Sequence, residues 1–346
     1  MAFSRAFNVA MVVVVLVVSL VGLQLVSQGV EAAGHIPPHG TMNFLVEEGR
    51  ELSLFTPPAL ILNYHGGPLL SASTGIPLYL IWYGGFSVKE QLAVVEFLSS
   101  ISPTKKQAQG QLGTPTVSTW WKTLTLYKDK LKKGVSPIVT VAGQYHYTTP
   151  LPYGKQLTTA DIENIVTNSR EQYFPKANCD AVFLVLTAYD IAVDGFCEAS
   201  CGSHAFVTTK SKANVPYVWV GNPVTQCPGQ CAWPYAAPLY GPPDFTPLVA
   251  PNGVGADGLV INIAIVLAGT VTNPFDTGYY QGVASEPSEA ATACPGIFGP
   301  DAYPGYPGQL ETNPSSKASF NAYGIHGSLF LLPALWNPGS QSCQAL

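Results

Sequence analysis

Residues Ala181 to Thr187 read Ala-Val-Phe-Leu-Val-Leu-Thr, a nearly continuous apolar run of strand length. A run without polar alternation is typical of a strand that is covered on both faces, because every side chain then leaves water. Residues Ile76 to Tyr83 (IPLYLIWY), between Gly75 and Gly84, are similarly rich in branched and aromatic side chains. The two runs predict strands of a buried sheet.

Helical patterns alternate with the strand patterns along the chain. Ser87 and Glu90 have the spacing of a capping box. Apolar residues follow at helical spacing, namely Val88, Leu92, Val95 and Leu98. We expect further elements in this order: a helix over 116–133, a strand over 137–142, a helix over 158–170, strands over 205–209 and 217–220, and a buried helix over 259–268. The helix over 116–133 is expected to have Leu131 on its apolar stripe and lysines on its other face. The helix over 259–268 is expected to have Asp257 as its N-cap. This alternation predicts an α/β fold, a mixed sheet with helices packed on it, followed by a loop-rich, disulfide-stapled C-terminal half.

Composition narrows the classes of function. The chain has 346 residues, of which 47% are apolar and 11% are charged. Lys and Arg together number 16 and the formal net charge is −5, so the basic surface of a nucleic-acid-binding protein is missing and we expect no nucleic-acid partner. Gly (33) and Pro (30) are abundant, which predicts many loops and turns.

The N-terminus has the pattern of an export signal. After Arg5, residues 6–30 are uncharged and mostly apolar, and two alanines follow at 32–33. We therefore expect a signal peptide over residues 1–33 and a secreted protein that forms a single domain over residues 34–346. An uncleaved membrane anchor is the alternative. After cleavage we expect no membrane contact, since no later apolar stretch reaches the roughly 20 residues that a spanning helix needs.

All seven cysteines lie in the second half of the chain. Export would carry them into an oxidising compartment, where disulfides persist. We expect three disulfides, without a choice of pairing, among Cys197, Cys201, Cys227, Cys231, Cys294 and Cys343. Cys179 precedes the buried strand and is expected to be a free, buried thiol. The alternative is a zinc site built from the two Cys-x-x-x-Cys pairs with His204.

Positive charge is concentrated in one segment. Residues 105–133 contain seven lysines and a single acid, Asp129. These lysines are either the solvated face of a helix or a contact for an anionic polysaccharide. The candidate contact residues are Lys122, Lys128, Lys130, Lys132 and Lys133.

Familiar catalytic and cofactor motifs are missing from the sequence. It contains neither Gly-x-Ser-x-Gly nor His-Glu-x-x-His, and the glycines at 253, 255 and 258 follow a proline-rich tract instead of a strand. We therefore expect no cofactor and no bound metal, and we assign no catalytic residue. A glycosidase needs two carboxylates, for which the candidates are Asp190, Asp194, Asp244, Asp257, Asp276, Glu286 and Glu289. Aromatic candidates for stacking on sugars are Trp120, Trp121, Trp219, Trp233, Tyr279, Tyr280 and Tyr303.

Particular strings of residues say more than these general patterns. They are Tyr64-His-Gly-Gly-Pro-Leu-Leu70, Ile81-Trp-Tyr-Gly84, Val193-Asp-Gly-Phe-Cys197, Cys201-Gly-Ser-His204, Tyr217-Val-Trp-Val-Gly-Asn222, Gln226-Cys-Pro-Gly-Gln-Cys-Ala-Trp-Pro234, Leu248-Val-Ala-Pro-Asn-Gly253, Thr270-Val-Thr-Asn-Pro-Phe275, Gly278-Tyr-Tyr-Gln-Gly282, Tyr303-Pro-Gly-Tyr-Pro-Gly308 and Leu331-Leu-Pro-Ala-Leu-Trp336. Together they closely resemble the plant EXORDIUM family, also called the phosphate-induced protein family, over most of the mature chain.

The resemblance implies a protein of the plant cell-wall space, the apoplast, that takes part in brassinosteroid-responsive growth and cell expansion and has no established catalytic activity. The six cysteines named above fall where the cysteines of the family fall, which supports Cys179 as the unpaired one. We expect the partner to be a cell-wall polysaccharide or an extracellular receptor. Three classes of function stay open: a non-enzymatic growth regulator, a wall-directed hydrolase or carbohydrate-binding protein with an unrecognised site, and a structural wall component.

Residues 264–274 also resemble, more weakly, the helix of secreted metalloprotease-like proteins that reads His-Glu-x-x-Glu before a Thr-Asp/Asn-Pro turn. Ile265, Val266 and Gly269 stand where the histidine and the two glutamates would be. Aliphatic side chains and a glycine cannot ligate zinc or activate water. This resemblance predicts a zincin-like scaffold without its metal, and a plain buried helix is the alternative.

Overall fold

The structure, a computed structural model, describes residues 60–109, 113–198, 200–238 and 245–346. The predicted signal peptide over 1–33 and the candidate carboxylate Asp244 lie outside the described residues. The strands, in chain order, are β1 (Asn63–Tyr64), β2 (Ile76–Tyr83), β3 (Val139–Tyr147), β4 (Gln156–Leu157), β5 (Val182–Thr187), β6 (Ala192–Val193), β7 (Gly202–Thr208), β8 (Asn214–Gly221), β9 (Tyr279–Tyr280), β10 (Glu311–Thr312), β11 (Ser319–Phe320), β12 (Ala322–Tyr323), β13 (Leu329–Phe330), β14 (Leu335–Asn337) and β15 (Ser342–Gln344).

A five-stranded sheet in the order β3-β2-β5-β8-β7 lies at the centre. The strands β3, β2, β5 and β8 pair in parallel, and β7 pairs with β8 in the antiparallel direction. All six residues of β5 are buried, as expected for a central strand that is covered on both faces. The strands predicted from the two apolar runs are therefore confirmed, and the sheet is mixed.

The helices, in chain order, are α1 (Val88–Ile101), α2 (Lys105–Gln109), α3 (Val117–Leu124), α4 (Thr159–Gln172), α5 (Pro228–Cys231) and α6 (Val254–Thr272), with a 3₁₀ turn at Ile325–Gly327. Helices α1 and α6 cover one face of the sheet, and α4 covers the other. Both predicted helix starts are confirmed as capping boxes. Ser87 N–H donates to Glu90 (2.8 Å), and Thr158 N–H donates to Asp161 (2.8 Å).

The predicted apolar stripe of α1 is wrong for its first two residues, whereas Leu98 at its end is fully buried as predicted. Val88 and Leu92 are 73% and 54% exposed, whereas Val94 and Phe97 are fully buried. Phe97 packs against Trp120 of α3 and against Phe330, with ring centroids 6.3 Å and 5.7 Å apart. The buried face of this helix is thus set by aromatic partners that lie far away in the sequence.

Helix α6 is longer than predicted. It covers 19 residues, most of them buried, and is long and apolar enough to cross a membrane by length and composition alone. Because 89% of its most apolar window is buried inside the protein, we interpret it as a core helix. Asp257 is not its N-cap. It lies buried in the first turn, where it accepts hydrogen bonds from the backbone and side chain of Asn252 (2.7 and 2.8 Å).

The predicted helix over 116–133 is wrong beyond Leu124, where α3 ends. After the helix, the carboxylate of Asp129 accepts hydrogen bonds from the backbone N–H groups of Leu131 and Lys133 (both 2.8 Å) and so closes a turn within the segment predicted to be helical. Lys132 within this turn has a positive φ of 61°, which a helix does not allow. Leu131, predicted to be on the apolar stripe, is 75% exposed.

Three disulfides join the six predicted cysteines, and two of them connect the segment around β7 to the segment around α5. The pairs are Cys197–Cys227, Cys201–Cys231 and Cys294–Cys343. The zinc alternative is therefore wrong, since sulfurs in disulfides are not available as thiolate ligands. Cys179 is free, as predicted, but it is exposed and not buried. The C-terminal part is loop-rich, with short strand pairs such as β14–β15.

Candidate functional site

The five candidate lysines lie on and just after α3. Lys122 is exposed on the helix, and Lys128, Lys130, Lys132 and Lys133 are exposed in the segment 125–134, which we call the lysine loop. In the described part of the chain, none of these five side chains lies within ion-pair distance of a carboxylate. Their positive charges are therefore free to attract an anion.

Tyr127 anchors the lysine loop in the core. Its ring is fully buried, and its hydroxyl donates a hydrogen bond to the carbonyl of Trp336 (2.6 Å) in β14. Burial raises the pKa of Tyr127 far above its ordinary value, so the phenol stays neutral and keeps donating. Strand β14 pairs with β15, where Cys343 forms the disulfide with Cys294. The C-terminal disulfide thus supports the segment on which the lysines stand.

Two stacked tyrosines lie beside the lysine loop. Strands β1 and β9 pair Tyr64 with Tyr279, and their rings stack with centroids 4.8 Å apart. The hydroxyl of Tyr279 donates to the carbonyl of Lys128 (2.8 Å), and the N–H of Lys130 donates to the hydroxyl of Tyr64 (3.2 Å). The tyrosine pair and the lysine loop are therefore fastened to each other and hold a fixed geometry.

His65 and Gly66 extend this surface. The exposed imidazole of His65 stacks on Tyr280 with centroids 3.7 Å apart. A Cβ at Gly66 would lie 2.8 Å from the ammonium nitrogen of Lys130, and Gly66 has a φ of 92°. Any larger residue there would displace the ammonium group and strain the backbone. We call Tyr64, His65, Tyr279 and the four loop lysines the lysine–tyrosine surface.

Aromatic rings and ammonium groups together suit an acidic sugar polymer. An aromatic ring offers an apolar face on which a sugar ring can stack, while ammonium groups attract carboxylates. The surface therefore has the chemical groups that recognise an acidic sugar polymer.

The remaining aromatic candidates fall into two groups. The indole N–H groups of Trp120, Trp121 and Trp219 donate to Pro333, Ser136 and Thr187 in the interior, so these three are core residues and not sugar platforms. Tyr280 is also buried, whereas Tyr303 is exposed and Trp233 is partly exposed, both away from the lysines. Of the seven candidates, Tyr279 is the one that lies in the lysine–tyrosine surface.

Most candidate carboxylates have structural partners or lie in solvent. Asp190 forms an ion pair with Lys155, and Asp257 is bound by Asn252. Burial raises the pKa of Asp257 to about 7, although the hydrogen bonds from Asn252 oppose this rise. Three others are exposed on loops, namely Asp194, Asp276 and Glu286.

Glu289 is buried and contacts His204 next to helix α6. Nε2 of His204 lies 2.8 Å from Oε2 of Glu289, and a Cβ at Gly269 would collide with this carboxylate. The glycine that stands at the position of a zincin glutamate therefore makes room for Glu289. Among the described residues no group of three His, Cys, Asp or Glu side chains is placed to hold a metal ion. Nothing in this arrangement supports a zincin-like scaffold, and residues 264–272 are part of the plain buried helix α6.

The comparison with known proteins decides the family. Residues 62–346 match the family model described as the phosphate-induced protein 1 conserved region. The chain belongs to the EXORDIUM, or phosphate-induced protein, family. It is 44% identical over 294 residues to Protein EXORDIUM of Arabidopsis thaliana, covering 83% of this chain and 89% of that protein. It is 42% identical over 296 residues to Protein PHOSPHATE-INDUCED 1 of Nicotiana tabacum, covering 84% and 90%. No solved structure matches the chain.

The resemblance to the EXORDIUM family that rested on short strings of residues is thus confirmed. The region matched by the family model includes every residue of the lysine–tyrosine surface. Sequence reasoning named Tyr279 and the lysines separately and missed Tyr64 as their partner. Tyr64 and Tyr279 are joined only through the pairing of two short strands, for which the sequence carries no local signal.

Proposed function

We propose that this EXORDIUM-family protein is secreted into the plant cell-wall space and acts there in brassinosteroid-responsive growth and cell expansion, by binding and without catalysis. We propose further that the lysine–tyrosine surface holds an acidic cell-wall polysaccharide. The observation that carries the proposal is that two hydrogen bonds, made by the hydroxyls of Tyr64 and Tyr279, join this stacked tyrosine pair to a loop of exposed lysines.

Secretion is supported by two independent features of the chain. The apolar segment over residues 6–30 has the composition of an export signal. Three disulfides form from six cysteines, and such bonds persist in oxidising compartments and are rare in the cytosol.

A polyanion is favoured over a neutral ligand by charge. The lysine loop exposes four ammonium groups within six residues, Lys128 to Lys133, against the single carboxylate of Asp129. This carboxylate accepts hydrogen bonds from two backbone N–H groups of the loop. A polymer with one carboxylate on each sugar meets several of these charges at once, so the individually weak contacts add up along the chain. Polygalacturonate is a polymer of this kind.

A binding role is favoured over hydrolysis by what the buried carboxylates contact. Glu289 is held by His204 and Asn273, and Asp257 is held by Asn252. These contacts orient and stabilise the chain, and the two carboxylates lie on different parts of it, near the two ends of α6. A wall-directed hydrolase and an extracellular receptor complex remain the competing proposals.

Retention on immobilised polygalacturonate tests this proposal. The proposal predicts that the mature protein is retained at low salt, is released as salt rises, and generates no new reducing ends from the polymer. Passage without retention at low salt contradicts polyanion binding, and steady release of reducing ends contradicts a non-catalytic role.

A further inference from the structure

A groove starts at the lysine loop and runs along the end of the sheet at which the parallel strands begin. Its first part is a cavity of about 620 Å³ whose lining includes Lys133, Ser71, Ser73 and Thr74. Its second part is a cavity of about 600 Å³ that ends at Lys212. Leu69 and Asp180 line both cavities, so the two are neighbours. We call them together the edge groove.

The position of the edge groove follows from the sheet topology. Ser73 and Thr74 precede β2, Asp180 precedes β5, and Lys212 precedes β8, and these three strands run parallel. The groove therefore lies at the end of the sheet from which the parallel strands start.

The opposite, carboxyl-terminal end is where ligands usually bind in open α/β sheets. Here the crevice between β2 and β5 is occupied by the protein itself. A Cβ at Gly84 would lie 2.8 Å from Ala188, and Asn222 donates a hydrogen bond to Glu90 (2.6 Å) across this end. The crevice between β2 and β5 is thus closed at this end, whereas the amino-terminal end of the same strands opens into the edge groove.

The lining of the edge groove suits a sugar polymer. Hydroxyl groups of Ser71, Ser73 and Thr74 line the first cavity, and Asn214 and Thr277 line the second. Phe206 and Phe275 meet edge to face in the second cavity, with centroids 5.5 Å apart, and offer an apolar wall. Polar groups that hydrogen-bond sugar hydroxyls, beside an aromatic surface, are the usual components of a carbohydrate site.

Charge is arranged along the groove in the order positive, negative, positive. Lys133 lies in the first cavity, Lys212 in the second, and Asp180 where the two adjoin. Among the described residues neither lysine has a carboxylate partner within ion-pair distance, whereas neighbouring Lys210 is paired with Glu171. A polyuronate would place carboxylates at both lysines but would be repelled at Asp180.

We propose that the edge groove binds a single acidic polysaccharide strand that enters from the lysine–tyrosine surface, and that Asp180 selects polymers in which neutral, esterified sugars interrupt the acidic ones. This inference rests on the proposed function, because it assigns the path and the preferred form of the same ligand. The groove and the lysine–tyrosine surface share Lys133, so one strand contacts both.

Cys179 provides a reporter inside the groove. It lines the second cavity, it is exposed, and the other six cysteines are in disulfides. A neutral reagent such as iodoacetamide therefore labels one position, and its approach is not changed by the charge of the polymer. The experiment measures the labelling rate of the intact mature protein with and without galacturonate oligomers, in fully de-esterified and partly methyl-esterified form.

The proposal predicts protection of Cys179. At an oligomer concentration about ten times Kd the labelling rate falls about tenfold, because only free protein reacts. Lys212→Gln weakens binding about two- to fivefold, whereas Lys210→Gln, whose side chain lies outside the groove, leaves it unchanged. Asp180→Asn strengthens binding of the de-esterified oligomer about two- to fivefold and removes the preference for the esterified form.

Three negative outcomes are distinguishable. If the protein is retained on a polygalacturonate column but oligomers leave the labelling rate of Cys179 unchanged, binding in the edge groove is overturned. Binding at the lysine–tyrosine surface then still stands. Absence of both retention and protection overturns the proposed function and the groove together. If oligomers protect Cys179 but Asp180→Asn keeps the preference for the esterified form, selection by Asp180 is overturned.

Discussion

Nε2 of His204 lies 2.8 Å from Oε2 and 3.0 Å from Oε1 of Glu289, so a histidine on the edge strand β7 holds a carboxylate 85 residues further along the chain. Asn273 donates to the same carboxylate (2.8 Å) and accepts a hydrogen bond from the N–H of Gly278 (2.7 Å). These bonds close the base of the loop 273–289, which carries Tyr279. The buried pair thus supports one half of the tyrosine pair.

Removing this carboxylate should destabilise the fold. Glu289→Ala leaves the imidazole of His204 and the amide of Asn273 buried without their partner, which costs about 3–5 kcal/mol. Glu286→Ala removes an exposed carboxylate from the same loop and should change stability by less than about 0.5 kcal/mol. Denaturant unfolding measures both, and equal stabilities for the two variants would contradict a supporting role of Glu289.

Stability should fall as pH rises past the titration of His204. Burial lowers the pKa of this imidazole, but the hydrogen bond and charge of Glu289, together with the charge of Asp276, raise it overall above the ordinary value of 6.5. A raised folded-state pKa means that the contribution is fully present below pH 6.5 and is lost as pH rises through the folded-state value. Unfolding free energies between pH 6 and 9 should therefore decline in the wild type and flatten in His204→Gln.

Asp257 should add a second pH dependence in a lower window. Desolvation raises its pKa to about 7 in the folded protein, against an ordinary value of 3.8. The folded state then binds more protons than the unfolded state between about pH 4 and 7, so stability declines across this range by up to about 1.4 kcal/mol per pH unit. Asp257→Asn should abolish that slope. An identical pH slope in the wild type and in Asp257→Asn would show that the carboxyl is ionised when buried.

The C-terminal disulfide should stabilise both the fold and the lysine loop. Cys294 and Cys343 are 49 residues apart, and removing such a cross-link by a double change to alanine costs about 2–4 kcal/mol. Since Trp336 pairs with Cys343 and accepts the hydrogen bond of Tyr127, amide exchange in the lysine loop should become faster. Cys179→Ser is the matched control, for which we expect no change in either measurement.

The central sheet could be predicted from the sequence because its signal is local. The strands β2 and β5 are continuous apolar runs, and the two capping boxes mark the starts of α1 and α4 within four residues each. The face that α1 buries could be predicted only at Leu98, since Trp120 and Phe330, which pack against Phe97, come from distant segments.

The candidate site was predictable in composition but not in geometry. The excess of lysine over 105–133 is visible in the sequence, whereas the turn that follows α3 depends on one side chain, Asp129, that accepts hydrogen bonds from two backbone N–H groups. The contacts Tyr64–Tyr279 and His204–Glu289 join residues far apart in the chain, and neither contact has a spacing or motif that points to it.

The most direct test of the proposed function is a titration with galacturonate oligomers at low and high salt. The decisive comparison sets the triple variant Lys128→Gln, Lys130→Gln, Lys132→Gln against a control that removes the same charge from exposed lysines elsewhere, Lys105→Gln, Lys106→Gln, Lys176→Gln. At about 0.2–1 kcal/mol per exposed ion pair, the first variant should bind about three- to a hundredfold more weakly, while the control keeps wild-type affinity. Equal affinities for the two variants, or binding of the wild type that is insensitive to salt, would contradict the lysine–tyrosine surface as the binding site.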